Sequence, residues 1–293
     1  MGASANDRDR PPLTLRLVLL TGLALLAFAG NSLLCRIALG PVGMDAASFT
    51  AIRLVSGAAM LGLILRVHGA ARSGRGSWPS AVALFAYAAA FSFAYLSLTA
   101  ATGALLLFGA VQASMIGHGL WQGERFSAVQ WLGLALALAG LLGLLLPGLS
   151  APPLGGALLM LAAGVAWAVY SLRGRGAGNP IGVTAGNFLR AAPMALLLVP
   201  VFHAQMSLNP PGVAYAIASG ALASGLGYAV WYSVLPSLPA SNAATVQLCV
   251  PVLVALGGIA FLGEALSLRL VLAAIAILGG IALVMGTRWS YGK

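Results

Sequence analysis

Apolar residues recur along the chain in runs of about twenty, broken at short intervals by Gly, Pro, Arg and Ser. An α-helix rises 1.5 Å per residue, so about 20 apolar residues cover the hydrocarbon of a bilayer. Read this way, the punctuation predicts ten membrane-spanning helices, near residues 15–38, 46–66, 79–98, 100–120, 127–147, 154–173, 181–202, 212–235, 240–262 and 267–287. The shallowest break is the one between Thr99 and Thr102. Arg8, Arg10 and Arg16 precede an apolar stretch that reaches Ala27-Phe28-Ala29 and so imitates a secretory leader. That stretch runs on through Leu33 and Leu34, and it is expected to stay in place as the first span.

Composition leaves no soluble alternative. Hydrophobic residues make up 60% of the chain and charged ones 7%, where a soluble domain carries about 25% charged residues. The formal charge of +10 does not make a nucleic-acid site, because the arginines stand singly at the ends of apolar runs and form no basic face. Their distribution sets the orientation instead. With the amino terminus in the cytoplasm, the inner segments hold Arg8, Arg10, Arg16, Arg66, Arg72, Arg75, Arg125, Arg173, Arg175, Arg288 and Lys293, and the outer ones only Arg36 and Arg269. Both termini are then cytoplasmic, which requires an even number of spans. Cys35 and Cys249 fall inside spans and read as small packing residues.

Shifting the chain by 140 positions aligns Gly117, Gly123, Glu124 and Ser127 with Gly257, Gly263, Glu264 and Ser267, and Leu132, Leu138 and Gly140 with Leu272, Leu278 and Gly280. A repeat of five helices is odd, so its second copy enters the membrane upside down, as in many secondary transporters. The expected organisation is a tail at 1–14, a first five-helix unit at 15–148, an inverted second unit at 149–288 and a tail at 289–293.

These residues resemble the drug/metabolite transporter superfamily in its EamA-type ten-helix branch. The resemblance rests on Ala29-Gly30-Asn31 with Arg36, on Arg53, on Gly123-Glu124 followed by Gln130-Trp131-Leu132-Gly133 and Gly140, on Trp167 with Tyr170, on Pro251, and on Gly263-Glu264. Val111 stands where that family usually has a proline in the fourth helix. Within the superfamily the nearest likeness is to YddG-type aromatic amino acid exporters. Membership implies export of small metabolites across a bacterial inner membrane, without a cofactor or a metal.

All five acidic residues fall in tails, loops or helix starts: Asp7, Asp9, Asp45, Glu124 and Glu264. No carboxylate is expected at mid-depth, where proton-coupled carriers commonly titrate one. Glu124 and Glu264 each precede a helix and are expected to cap its amino terminus. Arg53 and Arg190 lie roughly 12 Å into their helices, a costly depth. Arg190 shares a helix face with Thr184 and Asn187, which favours it over Arg53 as a partner for a substrate carboxylate. Trp78, Trp121, Trp131 and Trp289 sit at the ends of spans, as in an interfacial belt.

The residues expected around a central substrate cavity are Asn31, Tyr95, Gln112, Trp167, Tyr170, Asn187, Arg190, Tyr228, Trp231, Tyr232 and Gln247, with Asn242 and Thr245 as further polar positions at depth. Helix packing is the competing role for each of them. The expected partners are a small-molecule substrate, an amino acid or a similar metabolite, and the lipid bilayer. The expected activity is alternating-access export of aromatic or large neutral amino acids. The competing readings are a proton-coupled drug or nucleobase exporter, an intramembrane lipid enzyme, and a channel.

Overall fold

The computed structural model describes residues 15–67, 75–148, 151–174, 179–238 and 246–287, and the regular structure of these residues is helical throughout. The helices are α1 (Leu15–Leu39), α2 (Ala46–Val67), α3 (Trp78–Tyr95), α4 (Ala100–Trp121) and α5 (Ala128–Leu145), followed by α6 (Leu154–Arg173), α7 (Pro180–Val201), α8 (Pro210–Ser237), α9 (Cys249–Leu262) and α10 (Leu268–Thr287). Nine of these are long and apolar enough to cross a membrane, while α9 is shorter, at 14 residues. The expected ninth span began at residue 240, and its first turns lie outside the described residues, as do the tails 1–14 and 289–293 and the belt residue Trp289. The break near Thr99 is real: α3 ends at Tyr95 and α4 starts at Ala100.

Helix starts follow local chemistry. Ser77, Thr99, Asn179 and Asn209 each accept a backbone N–H three residues on, and Pro79, Pro180 and Pro210 occupy the first turns, where a missing N–H costs nothing. Ser127 and Gln130 form a reciprocal capping box on α5. Asp45 accepts from Ser48 N at 2.7 Å and from Ser207 N at 3.0 Å, so it caps α2 and ties the α1–α2 turn to the α7–α8 turn.

The expectation that Glu264 caps α10 is corrected. Its Oε2 accepts from the backbone N–H of Ala100 at 2.8 Å, the first residue of α4, whereas Ser267 supplies the oxygen that caps α10. The reversal at Gly263 explains this. Its φ of 63° is open to glycine at little cost, and it turns the next residue back over the end of α9 toward α4. Gly123 repeats the conformation at φ 86° before Glu124.

Lipid tails are as apolar as leucine, so the helices are held by close approach at small residues rather than by a hydrophobic drive. α5 and α10 meet where a Cβ on Gly133 would stand 2.6 Å from the carbonyl oxygen of Gly280, and one on Gly140 would stand 2.7 Å from the Ala276 Cβ. Gly164 lets α6 lie on the backbone of α4 at Leu107, and Gly220 sets α8 on the carbonyl oxygen of Arg53 in α2. Leucines such as Leu19, Leu132, Leu142 and Leu272 stay exposed and face the lipid, while α4 is buried through most of its length.

α8 carries a feature the sequence did not announce: Ala218–Leu226 is a nine-residue π-helical segment. Such widened turns gather at functional sites. The Gly220 contact with α2 and the hydrogen bond of 2.7 Å from Ser219 Oγ to Asn31 Oδ1 hold this segment against α1 and α2.

Replacing Gly280 by Leu drives a side chain into the α5 backbone and is expected to cost about 1–3 kcal/mol. A Cβ at Gly279 meets nothing within 4 Å, and Gly279→Leu should be close to neutral. Thermal unfolding of the two purified variants in detergent compares them directly; equal melting temperatures would contradict the packing described for α5 and α10.

Candidate functional site

A cavity of about 680 Å³ lies between α1, α3, α4, α6 and α8, and its lining runs from Phe91 and Ser32 to Gly174 and Leu238 at the carboxyl-terminal ends of α6 and α8. Eight aromatic side chains stand in its wall, among aliphatic and small polar residues. Trp167 is the hub, with ring centroids at 4.8 Å from Tyr87, 5.4 Å from Tyr228 and 5.4 Å from Tyr170. Phe28 leans on Tyr228 at 5.9 Å and edge-on to Trp231 at 5.7 Å. The i, i+3, i+4 spacing of Tyr228, Trp231 and Tyr232 on the last turns of α8 brings all three to the wall.

Polar groups interrupt the aromatic surface at Asn31, Ser32, Gln112, Ser171, Ser224 and Gln247. These are amides and hydroxyls, and among the described residues no group of three or more His, Cys, Asp or Glu comes together to hold a metal. Behind the wall lies Arg53, 1% exposed and the largest fully buried side chain. Its Nη2 donates to the Tyr87 hydroxyl at 3.0 Å, and its guanidinium lies 5.2 Å from the centre of the Tyr87 ring and 4.9 Å from that of Phe91. Asn31 Nδ2 reaches the same hydroxyl at 3.4 Å.

At the end remote from Gly174 the cavity stops against a plug. Phe91 meets Tyr95 edge-on at 4.8 Å, and Arg36 donates from Nη1 to the Tyr95 carbonyl and from Nε to Glu264 Oε1, both at 3.1 Å. Glu264 completes the plug through its bond to the α4 amino terminus. The Arg36–Glu264 pair thus joins α1, α3, α4 and the α9–α10 turn.

Of the residues singled out from sequence, Asn31, Gln112, Trp167, Tyr228, Trp231, Tyr232 and Gln247 line the cavity. Tyr95, Tyr170, Asn187 and Arg190 do not. Tyr95 is fully buried in the plug and donates to the carbonyl of Ala100 at 3.3 Å. Tyr170 stacks behind Trp167 and faces Asn187 and Thr184 on α7. Asn187 accepts the N–H of Ser77 at 2.8 Å and so fixes the start of α3. Arg190 donates to the carbonyls of Arg75 and Gly186 and lies over the Trp78 ring, at the end of the bundle. Asn242 and Thr245 lie outside the described residues.

The sequence reading did not single out Tyr87, Phe28 and Phe91 as wall residues, and it preferred Arg190 to Arg53. A signal for Tyr87 existed: its spacing of four from Phe91, and of four again to Tyr95, marks one continuous aromatic face on α3.

Comparison with known proteins agrees with this architecture. The model of the EamA-like transporter family matches residues 154–286. An uncharacterized protein of Pseudomonas aeruginosa is 61% identical over 274 residues, which is 93% of this chain and 96% of that one. Threonine/homoserine exporters RhtA are similar over about half their length: 36% identical over 171 residues in Salmonella typhimurium, covering 54% of each chain, and 35% over 177 residues in Escherichia coli, covering 56% of each. A solved crystal structure superposes with a TM-score of 0.67 at 23% identity, over 92% of this chain and 97% of that one, and so shares the fold. With the family match over its second half and its likeness to the threonine/homoserine exporters, the chain is a multi-pass membrane transporter rather than an enzyme, and it belongs to the EamA-like family of the drug/metabolite transporter superfamily.

Proposed function

We propose that this protein exports neutral amino acids across the bacterial inner membrane by alternating access. The observation that carries the reading is the aromatic cavity of about 680 Å³, with amides at intervals along its wall and an ion-paired plug at one end. Aromatic and methyl-rich side chains suit the faces of Trp167, Tyr228 and Trp231, and the amides of Asn31, Gln112 and Gln247 suit a zwitterion better than an inorganic ion. Large neutral and aromatic amino acids are the first reading. Hydroxy amino acids are the second, favoured by the likeness to threonine/homoserine exporters.

The two halves, 15–148 and 149–288, are read as inverted repeats. Contacts between α5 and α10 support this, because they are reciprocal: Gly133 meets Gly280 while Gly140 meets Ala273, and a shift of 140 turns 133 into 273 and 140 into 280. With both termini cytoplasmic, the lining that reaches Gly174 and Leu238 faces the cytoplasm, and the Arg36–Glu264 plug closes the outer side. The conformation is then inward-facing, and rocking of the halves must break this ion pair to release substrate outward. Asp45, Glu124 and Glu264 stand at helix ends, which supports transport without a carboxylate proton relay at mid-depth.

Reconstituted into liposomes, the protein is expected to show saturable uptake and counterflow of labelled L-leucine or L-phenylalanine, unchanged by an imposed pH gradient. Trp167→Ala and Tyr228→Ala should each raise KM about tenfold or more. Failure to move any neutral amino acid would overturn the substrate class, and accumulation that requires the gradient would overturn the mechanism.

The plug has its own reporter in Cys35, which is buried beside Arg36. In a Cys249→Ser background, Glu264→Gln should speed labelling of Cys35 by an impermeant maleimide added from outside by about tenfold, as a charge-assisted bond is lost. Unchanged labelling would remove Glu264 from the outer closure.

A further inference from the structure

We propose that the Tyr87 hydroxyl, polarised by the buried Arg53 guanidinium, is the anchor for a carboxylate on the transported substrate. The assignment rests on the transport reading above and adds to it the charge the ligand must carry.

The chemistry begins with lone pairs. A phenol oxygen has two acceptor positions and one proton to give. Both acceptor positions of Tyr87 are engaged, by Arg53 Nη2 at 3.0 Å and Asn31 Nδ2 at 3.4 Å. Asn31 is fixed in that role because Ser219 donates to its Oδ1 at 2.7 Å. The Tyr87 proton is left as a donor, in a residue that lines the cavity. A cation bonded to the oxygen makes that proton a stronger donor, and a carboxylate is the acceptor that gains most from it.

Charge balance points the same way. Arg53 is 1% exposed, its Nε and Nη1 have no hydrogen-bond partner, and its contacts are the faces of Tyr87 and Phe91. A guanidinium buried without a counter-ion carries a large desolvation cost, and an anion bound one aromatic layer away offsets it. The cavity lining itself is uncharged. A carboxylate seated at Tyr87 would place the neighbouring ammonium of an amino acid near the face of Trp167, 4.8 Å from Tyr87 between ring centres, where a cation is favoured.

Quenching of tryptophan fluorescence in the full-length protein in nanodiscs, with Trp167 and Trp231 beside the ligand, gives the test. Three probes share one side chain: L-leucine, L-leucinamide, which lacks the carboxylate, and 4-methylvalerate, which lacks the ammonium. The wild-type protein should bind leucine and 4-methylvalerate, and leucinamide at least about tenfold more weakly, the worth of one charge-assisted hydrogen bond. Tyr87→Phe keeps the ring and should weaken both carboxylates by about tenfold while leaving leucinamide unchanged. Arg53→Lys should retain most of the preference and Arg53→Met should lose it; if Arg53→Met does not fold, Tyr87→Phe decides alone. Equal binding of leucine and leucinamide by the wild type, carboxylate binding unaltered in Tyr87→Phe, or no carboxylate binding at all would overturn the anchor. Amino acid transport that persists with such a result would leave the exporter reading standing. Tyr87-dependent binding of 4-methylvalerate in a protein that moves no amino acid would keep the anchor and overturn that reading.

Discussion

In hydrocarbon every backbone N–H and C=O must find its partner within the protein, and helices must then adhere to one another without help from water. The rest of this molecule depends on that constraint. It makes the chain helical from end to end of the described spans, and it places glycine where backbones touch, at Gly133 with Gly280 and at Gly220 with Arg53. It also explains why the polar side chains at helix starts are so thoroughly used. Asp45 serves α2 and the turn before α8, and Glu264 serves the first amide of α4 while holding Arg36.

The same constraint gives the departures from regularity their meaning. Widening α8 into a π-helical segment between Ala218 and Leu226 aligns Ser219 with Asn31 and brings Ala223 and Ser224 to the cavity. An isolated helix has no reason to adopt that geometry. Here the close contact with α2 and the buried Ser219–Asn31 bond stabilise it, and the result is a polar strip running from α8 through Asn31 and Tyr87 to Arg53. In the proposed transport cycle this strip stays at mid-depth, while the Arg36–Glu264 plug nearer one end opens and closes.

A carrier of this design separates two tasks that a charged cavity would confuse. In the proposed cycle the faces and amides of the wall would hold a ligand without gripping it, and the full charge of Arg53 is kept one layer back, screened by Tyr87 and Phe91. A guanidinium set directly in the cavity would bind an anion strongly in one conformation and release it slowly into the other. The ion pair that the proposed cycle would open, Arg36 with Glu264, is only partly buried, so water could reach both partners as they part.

The sequence alone determined the membrane class, the positions of most spans and the EamA-type likeness, because run length and Gly and Pro punctuation are local properties of the chain. It also pointed to Trp167, Tyr228 and Trp231, whose spacing marks aromatic faces deep within spans. It did not decide which arginine lies behind the cavity. Arg53 and Arg190 look alike by depth, and only the packing of α2 against α3 buries the first under Tyr87 and Phe91, while the second bonds the carbonyls of Arg75 and Gly186. Nor did it distinguish Tyr87, on the wall, from Tyr95 and Tyr170, which pack behind it. The reason is physical: lipid and protein interior are both apolar, so a membrane helix carries little of the amphipathic contrast that reveals the inner face of a soluble one. Which face turns inward, and which distant helix Glu264 caps, were settled only when the helices met.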